Sequence, residues 1–126
     1  MRDTIKKHED FHTTDSDPMA RSPYFTLRAK PVRFPDSPRV GFMATKKTFK
    51  LATQRNRAKR LMRDWLRFNA DLMVPEFDYI IVARAPILGA DRKTGRSAMA
   101  RALKHVLRVY APKTPDNWMR IFKHNA

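Results

Sequence analysis

Residues 46–68 read KKTFKLATQRNRAKRLMRDWLRF, and the rest of the chain is organised around them. Nine Lys or Arg residues stand here against one acid, Asp64. Ala58, Leu61, Met62, Trp65 and Leu66 recur at i, i+3, i+4, i+7 and i+8, the spacing of an amphipathic helix. At about 100° per residue they fill one side of the wheel, with Phe68 at its edge. Asn56, Arg57, Lys59, Arg60, Arg63 and Arg67 fill the other side. A helix kept merely soluble alternates its charges, with Glu ahead of Lys by four residues. This one sets like charges together at 55/59/63 and 60/63/67. With Thr53 read as the N-cap, Arg55 and Arg57 fall in the first turn, where cations oppose the helix dipole. A helix start is also a natural seat for phosphate. A local rule broken in this way points to a site, here a face for a polyanion.

Composition agrees. The 126 residues carry 27 Lys and Arg against 12 Asp and Glu, a net charge of +15. More than half of that excess lies within residues 46–68. Such a balance points to a polyanionic partner. Hydrophobic content of 42% fits one globular domain with a modest core. There is no cysteine, which excludes disulfide frameworks and Cys-based zinc sites. No apolar run approaches 18 residues and the start is polar, so neither a spanning helix nor a signal peptide is expected. The expected location is the cytoplasm.

Outward from the basic stretch, two strands and a further helix are legible. Arg39 to Thr45 alternates, with Val40, Phe42 and Ala44 inward. Phe77 to Arg84, FDYIIVAR, is a nearly continuous apolar run, which predicts a central strand covered on both faces. Tyr24 to Lys30 predicts a half-buried strand, with Phe25, Leu27 and Ala29 inward and Tyr24, Thr26, Arg28 and Lys30 outward. Asp15–Pro23 and Pro86–Arg96 read as loops. Ser97 to Tyr110 predicts a second amphipathic helix with Ser97 as its cap, stopped by Pro112. Residues 3–14 predict a short first helix, and Trp118, Ile121 and Phe122 a final turn. The order is α-β-β-α-β-α with room for one more strand in the proline region. That is a small α/β (α+β) sandwich, in which the strands flanking the basic helix can run parallel.

Two motifs are weighed and set aside. His8-Glu9-x-x-His12 matches a zinc-hydrolase pattern, but Pro18 stands where a metzincin has its third ligand, and the next Glu is Glu76. Gly89 to Ser97 has one residue too many for a phosphate-binding P-loop and Arg96 in place of its Lys. No catalytic triad or carboxylate pair is visible. No catalytic residue and no metal ligand is assigned to the chain.

The run Lys46-Lys47, Ala52 and then R-N-R-x-K-R-x-x-R-D over Arg55–Asp64 resembles the signature of the bacterial ribonuclease P protein component. The likeness extends to Ile5-Lys6-Lys7 with Asp10-Phe11, to Arg39–Phe42, to Asp78–Arg84 and to the helix at 97–110, about residues 5–110 in all. It departs where many members carry a second aromatic after the first, since Thr14 and Asp15 stand there. It also lacks a Gly common after the lysine pair. The resemblance implies the order α-β-β-β-α-β-α around a central sheet, with a left-handed β-α-β crossover. It implies a single RNA-binding domain over residues 1–112, with 113–126 as an extension.

The function implied is that of the protein subunit of ribonuclease P. Its partners would be the catalytic RNA and the 5′ leader of precursor tRNA. The holoenzyme removes that leader by phosphodiester hydrolysis, with Mg²⁺ acting through the RNA. Lys46, Lys47, Arg55, Asn56, Arg57, Lys59, Arg60, Arg63 and Arg67 would contact RNA. Phe11, Lys59 and Arg63 would border the leader, and Arg28 is added from its place on the strand's outer side. A general structured-RNA binder, such as a ribosomal protein, is the alternative.

Overall fold

A computed structural model describes residues 18–31, 39–75 and 77–110. The first helix, the HEDFH motif, Phe11 and the turn around Trp118 lie outside the described residues. Within them the order is β1 (Met19–Arg21), β2 (Phe25–Pro31), β3 (Val40–Met43), α1 (Ala52–Phe68), β4 (Phe77–Ala83) and α2 (Arg92–Tyr110). Single 3-10 turns at Ala70–Leu72 and Ala85–Gly89 flank β4. The sheet is mixed, in the order β1-β2-β4-β3. β1 and β4 each pair antiparallel with β2, while β3 and β4 run parallel with Val40 opposite Tyr79. A parallel neighbour cannot be reached by a tight turn, so the chain crosses over through α1.

The fold class is therefore α+β, and the β-α-β unit around the basic helix forms as its flanking strands predict. The strand beyond the three legible ones is β1. It lies where Asp15–Pro23 reads as loop. Three residues between Pro18 and Pro23 are too short for periodicity to show, and pairing with β2 is what makes them a strand. Ser22 closes the β1–β2 hairpin, its hydroxyl accepting from the Tyr24 and Phe25 amides at 3.1 Å. Tyr24 lies ahead of β2 and its ring meets Trp65 edge-on at 6.0 Å, so it does not share the outward side of Thr26.

Phe25, Leu27 and Ala29 of β2 join Phe77, Tyr79, Ile81 and Ala83 of β4 on one sheet face, all buried. Ala58, Met62, Trp65 and Leu66 of α1 and Met99, Ala102, Leu103 and Val106 of α2 complete that core. Each buried Leu or Met contributes roughly 1.5–3 kcal/mol. Each like-charge pair on the other side of α1 costs roughly 0.2–0.5 kcal/mol. Burial therefore outweighs repulsion, and α1 stays helical despite its charge. The opposite sheet face carries Thr26, Arg28, Lys30, Ile80 and Val82. Asp78, almost fully buried, takes a forked bond from Arg39, with Nη2 to Oδ2 at 2.6 Å.

α2 begins at Arg92, five residues before its expected cap at Ser97. Asp91 is the cap, its Oδ1 accepting from the Thr94 amide at 2.6 Å. Gly95, in the first turns of α2, is the reason the helices pack so closely. A Cβ there would lie 2.6 Å from Trp65 Cδ2, inside the van der Waals surface of the indole.

Candidate nucleic-acid interface

α1 runs 17 residues, about 25 Å at 1.5 Å per residue. Its start is set at Leu51, one turn's edge earlier than Thr53. Leucine has no oxygen to cap an amide, so only half of a capping box exists, with Gln54 Oε1 accepting from the Leu51 amide at 3.3 Å. No acid lies in the first turn. The N-terminal end of α1 is left with amides and cations together, the arrangement that favours an anion.

The approach to α1 is a rigid bracket. Thr45 accepts from the Phe49 amide through its carbonyl at 2.9 Å, and its Oγ1 accepts from the Thr48 amide at 3.3 Å. Phe49 is buried, and its burial was not foreseen from the sequence. Lys46 and Lys47 sit on this turn, both exposed. Arg55 is tied to the same bracket. Its Nη1 donates to the carbonyls of Phe49 at 2.8 Å and Lys50 at 3.1 Å. That nitrogen holds loop to helix, and the half-buried guanidinium keeps further N–H donors on Nε and Nη2.

Asn56, Arg57, Arg60, Arg63 and Arg67 are exposed and Lys59 is half-buried. Among the described residues, no carboxylate forms an ion pair with any of these, nor with Lys46, Lys47 or Arg55. The one acid of the stretch, Asp64, turns instead to Arg96 of α2, with Oδ1 to Nη2 at 3.1 Å and Oδ2 to Nε at 3.2 Å. The Arg96 hydrogen bond holds the Asp64 carboxyl below its ordinary value of 3.8, burial opposes this, and the charges of Arg96, Arg92 and Arg67 add to the lowering. Asp64 therefore fastens two helices and does not neutralise the stripe.

The predicted leader residues are not all brought together. Arg63 lies over the Phe42 ring, 5.4 Å from its centroid, at the β3 edge of the helix-covered face. Arg28 pairs opposite Ile80, on the other face. A strand touching Arg28 and Arg63 has to pass around the sheet edge. Phe11 lies outside the described residues.

Sequence reasoning missed how far the positive surface extends. Arg92 and Lys93 open α2 beside the end of α1, and Arg96 stacks on Phe68 at 4.2 Å from the ring centroid. The overlooked signal is plain: residues 92–110 contain no acid at all. The stretch read as loop because Gly95 weakens helix propensity.

The chain can be set beside known proteins on this geometry. It is 55% identical over 91 residues to the ribonuclease P protein component of Pseudomonas entomophila, covering 72% of this chain and 68% of that one. It is 38% identical over 78 residues to the protein component of Marinobacter nauticus. There the match covers 62% of this chain and only 58% of the relative's length. The fold is shared with the Staphylococcus aureus RNase P protein, at a TM-score of 0.68 and 23% identity over 82% of this chain and 94% of that one. The family model described as Ribonuclease P matches residues 1–119, nearly the whole sequence, and the chain belongs to the ribonuclease P protein family.

Proposed function

We propose that this chain is the protein subunit of a ribonuclease P ribonucleoprotein, binding the catalytic RNA and the 5′ leader of precursor tRNA and so promoting removal of the leader. The observation that carries this is the unneutralised side of α1. Arg57, Arg60 and Arg67 project from a helix whose other side is buried in the core, Lys46 and Lys47 stand on the turn that leads into it, and among the described residues no carboxylate pairs with any of them. Guanidinium forks suit phosphate oxygens, and folded RNA is recognised chiefly through backbone and shape. Asn56 adds a neutral donor and acceptor suited to sugar hydroxyls.

In this reading Lys59 and Arg63 stand beside the leader at the β3 edge, Arg28 meets it on the outer sheet face, and Phe11 stacks on a base. Stacking tolerates any sequence, as varied leaders require. The hydrolysis itself belongs to the RNA, with Mg²⁺ held on the RNA side. Among the described residues no three metal-ligating side chains gather on this chain. Residues 1–112 act as one RNA-binding unit and 113–126 as an extension, working in the cytoplasm. Among the described residues no helix is long and apolar enough to cross a membrane.

The test is reconstitution. Transcribed ribonuclease P RNA is assayed on precursor tRNA at limiting Mg²⁺, with and without this protein. Cleavage should accelerate, and more for substrates with a leader of several nucleotides than for one with a single leader nucleotide. Equal rates with and without the protein would refute the subunit role.

A further inference from the structure

At the other end of the sheet a second groove lies between β1 and α2, with a volume of about 450 Å³. Its floor is small and buried: Ala20 of the edge strand against Ala98 and Ala102 of the helix. Its rim is basic. Arg21 projects from β1, and Arg101, His105 and Arg108 from α2. Arg101, His105 and Arg108 follow one another at i, i+4 and i+7, on one side of the helix.

Among the described residues no acid lines the groove. Among the described residues none of its arginines forms an ion pair with a carboxylate. α2 has no acid anywhere in its length, so Arg101, Lys104 and Arg108 repel one another without relief. This repeats, in a helix that the family signature does not single out, the imbalance seen in α1. The cations are strung along the groove. Arg101 and Arg108 leave the helix about 10 Å apart along its axis, which suits an extended polyanion better than a single phosphate.

We infer that the β1–α2 groove is a second nucleic-acid contact, gripping the phosphodiester backbone of an RNA strand at a point separate from the α1 stripe. The inference rests on RNA being the partner of α1. α2 packs over β1 and β2, whereas α1 packs over β3 and β4, so the two contacts occupy opposite halves of the sheet. One protein would then hold two segments of RNA and fix the distance between them.

The experiment compares two double variants in the full chain: Arg101→Ala/Arg108→Ala in the groove and Arg57→Ala/Arg60→Ala on α1. All four side chains are exposed, and Ala is the better helix former, so folding is retained. Binding to transcribed ribonuclease P RNA is measured against salt. Each pair should reduce the slope of log affinity on log salt by about two, close to one per lost phosphate contact. A lowered slope for the α1 pair with an unchanged slope for the groove pair overturns the groove and leaves RNA binding standing. Unchanged slopes for both overturn both. The chain has no cysteine, so His105→Cys carrying a photo-crosslinker reports the occupant directly. Crosslinks to an RNA segment other than the one reached from Arg60→Cys support the inference. Crosslinks to the same segment, or none to RNA, overturn it. So does loss of binding to phosphatidylserine vesicles in the groove pair with RNA binding intact.

Discussion

Gly95 is an unusual residue to keep near the start of a helix. An ordinary Gly→Ala exchange in a helix gains about 1 kcal/mol. Here the new methyl would enter the Trp65 indole, which is fully buried and hemmed in by Tyr24 and Phe25. Gly95→Ala should therefore reverse sign and destabilise by about 1–3 kcal/mol, the usual range for overpacking. Urea unfolding measures this, and adding Trp65→Leu should recover part of the loss. A Gly95→Ala protein more stable than its parent would contradict the packing described.

Asp64 gives a second residue-level expectation. A carboxyl whose folded pKa is depressed adds stability that is complete above its unfolded value. That stability is lost as pH falls through the folded value. The lowering below 3.8 places the loss on the acid side, with no change expected between pH 5 and 8. The pair is partly exposed, so its worth at neutral pH is at most about 1 kcal/mol. Asp64→Asn should show a small deficit at pH 7 that disappears well below pH 3.8. A deficit of constant size across that range would place the effect elsewhere.

At the scale of elements, the junction between β3 and α1 separates two kinds of arginine. Arg55 holds two loop carbonyls, and at about 1 kcal/mol per bond Arg55→Ala should cost about 1–2 kcal/mol in thermal or urea unfolding. Arg57→Ala should change stability by less than about 0.5 kcal/mol, as is usual for exposed sites away from special features. Equal effects would remove the structural role given to Arg55. The signature motif thus mixes a residue that builds the helix start with residues that face outward. Sequence alone cannot sort them, because hydrogen bonds to backbone carbonyls leave no mark on periodicity. Elements with clear periods were legible: α1 from its 3.6-residue stripe, β2 from alternation, β4 from its apolar run. Elements defined by a partner were not. β1 exists through pairing with β2, and the first turn of α2 through the Asp91 cap and the hollow that Gly95 leaves for Trp65. The groove rim was invisible for the same reason, since Arg21 and Arg101 stand 80 positions apart.

For the molecule as a whole, a charge of +15 on 126 residues is the dominant fact. Self-repulsion weakens the compact state, and a polyanion that binds only the folded form stabilises it by mass action. At a hundredfold excess over the dissociation constant the gain is about 2.7 kcal/mol. The melting temperature at low salt should therefore rise on adding RNA, and a neutral osmolyte at equal concentration should not reproduce the shift. An unmoved melting temperature would mean that no polyanion prefers the folded chain. The α+β class and the crossover unit could be argued from residues 39–84, and the placement of the cationic helix followed. What remained hidden was which side chains meet across the sheet.

β4 is the last of the described strands to be made, yet it lies inside the sheet and joins β2 to β3, which do not pair with each other. During translation, β2 has only the short strand β1 beside it, and β3 lacks its neighbour in the sheet, until residue 83 has emerged from the exit tunnel. A nascent chain stopped between residues 68 and 83 carries the whole cationic amphipathic helix without β4, the strand that completes the surface beneath it. Premature termination between those two points would therefore yield a sticky fragment in place of a smaller working protein.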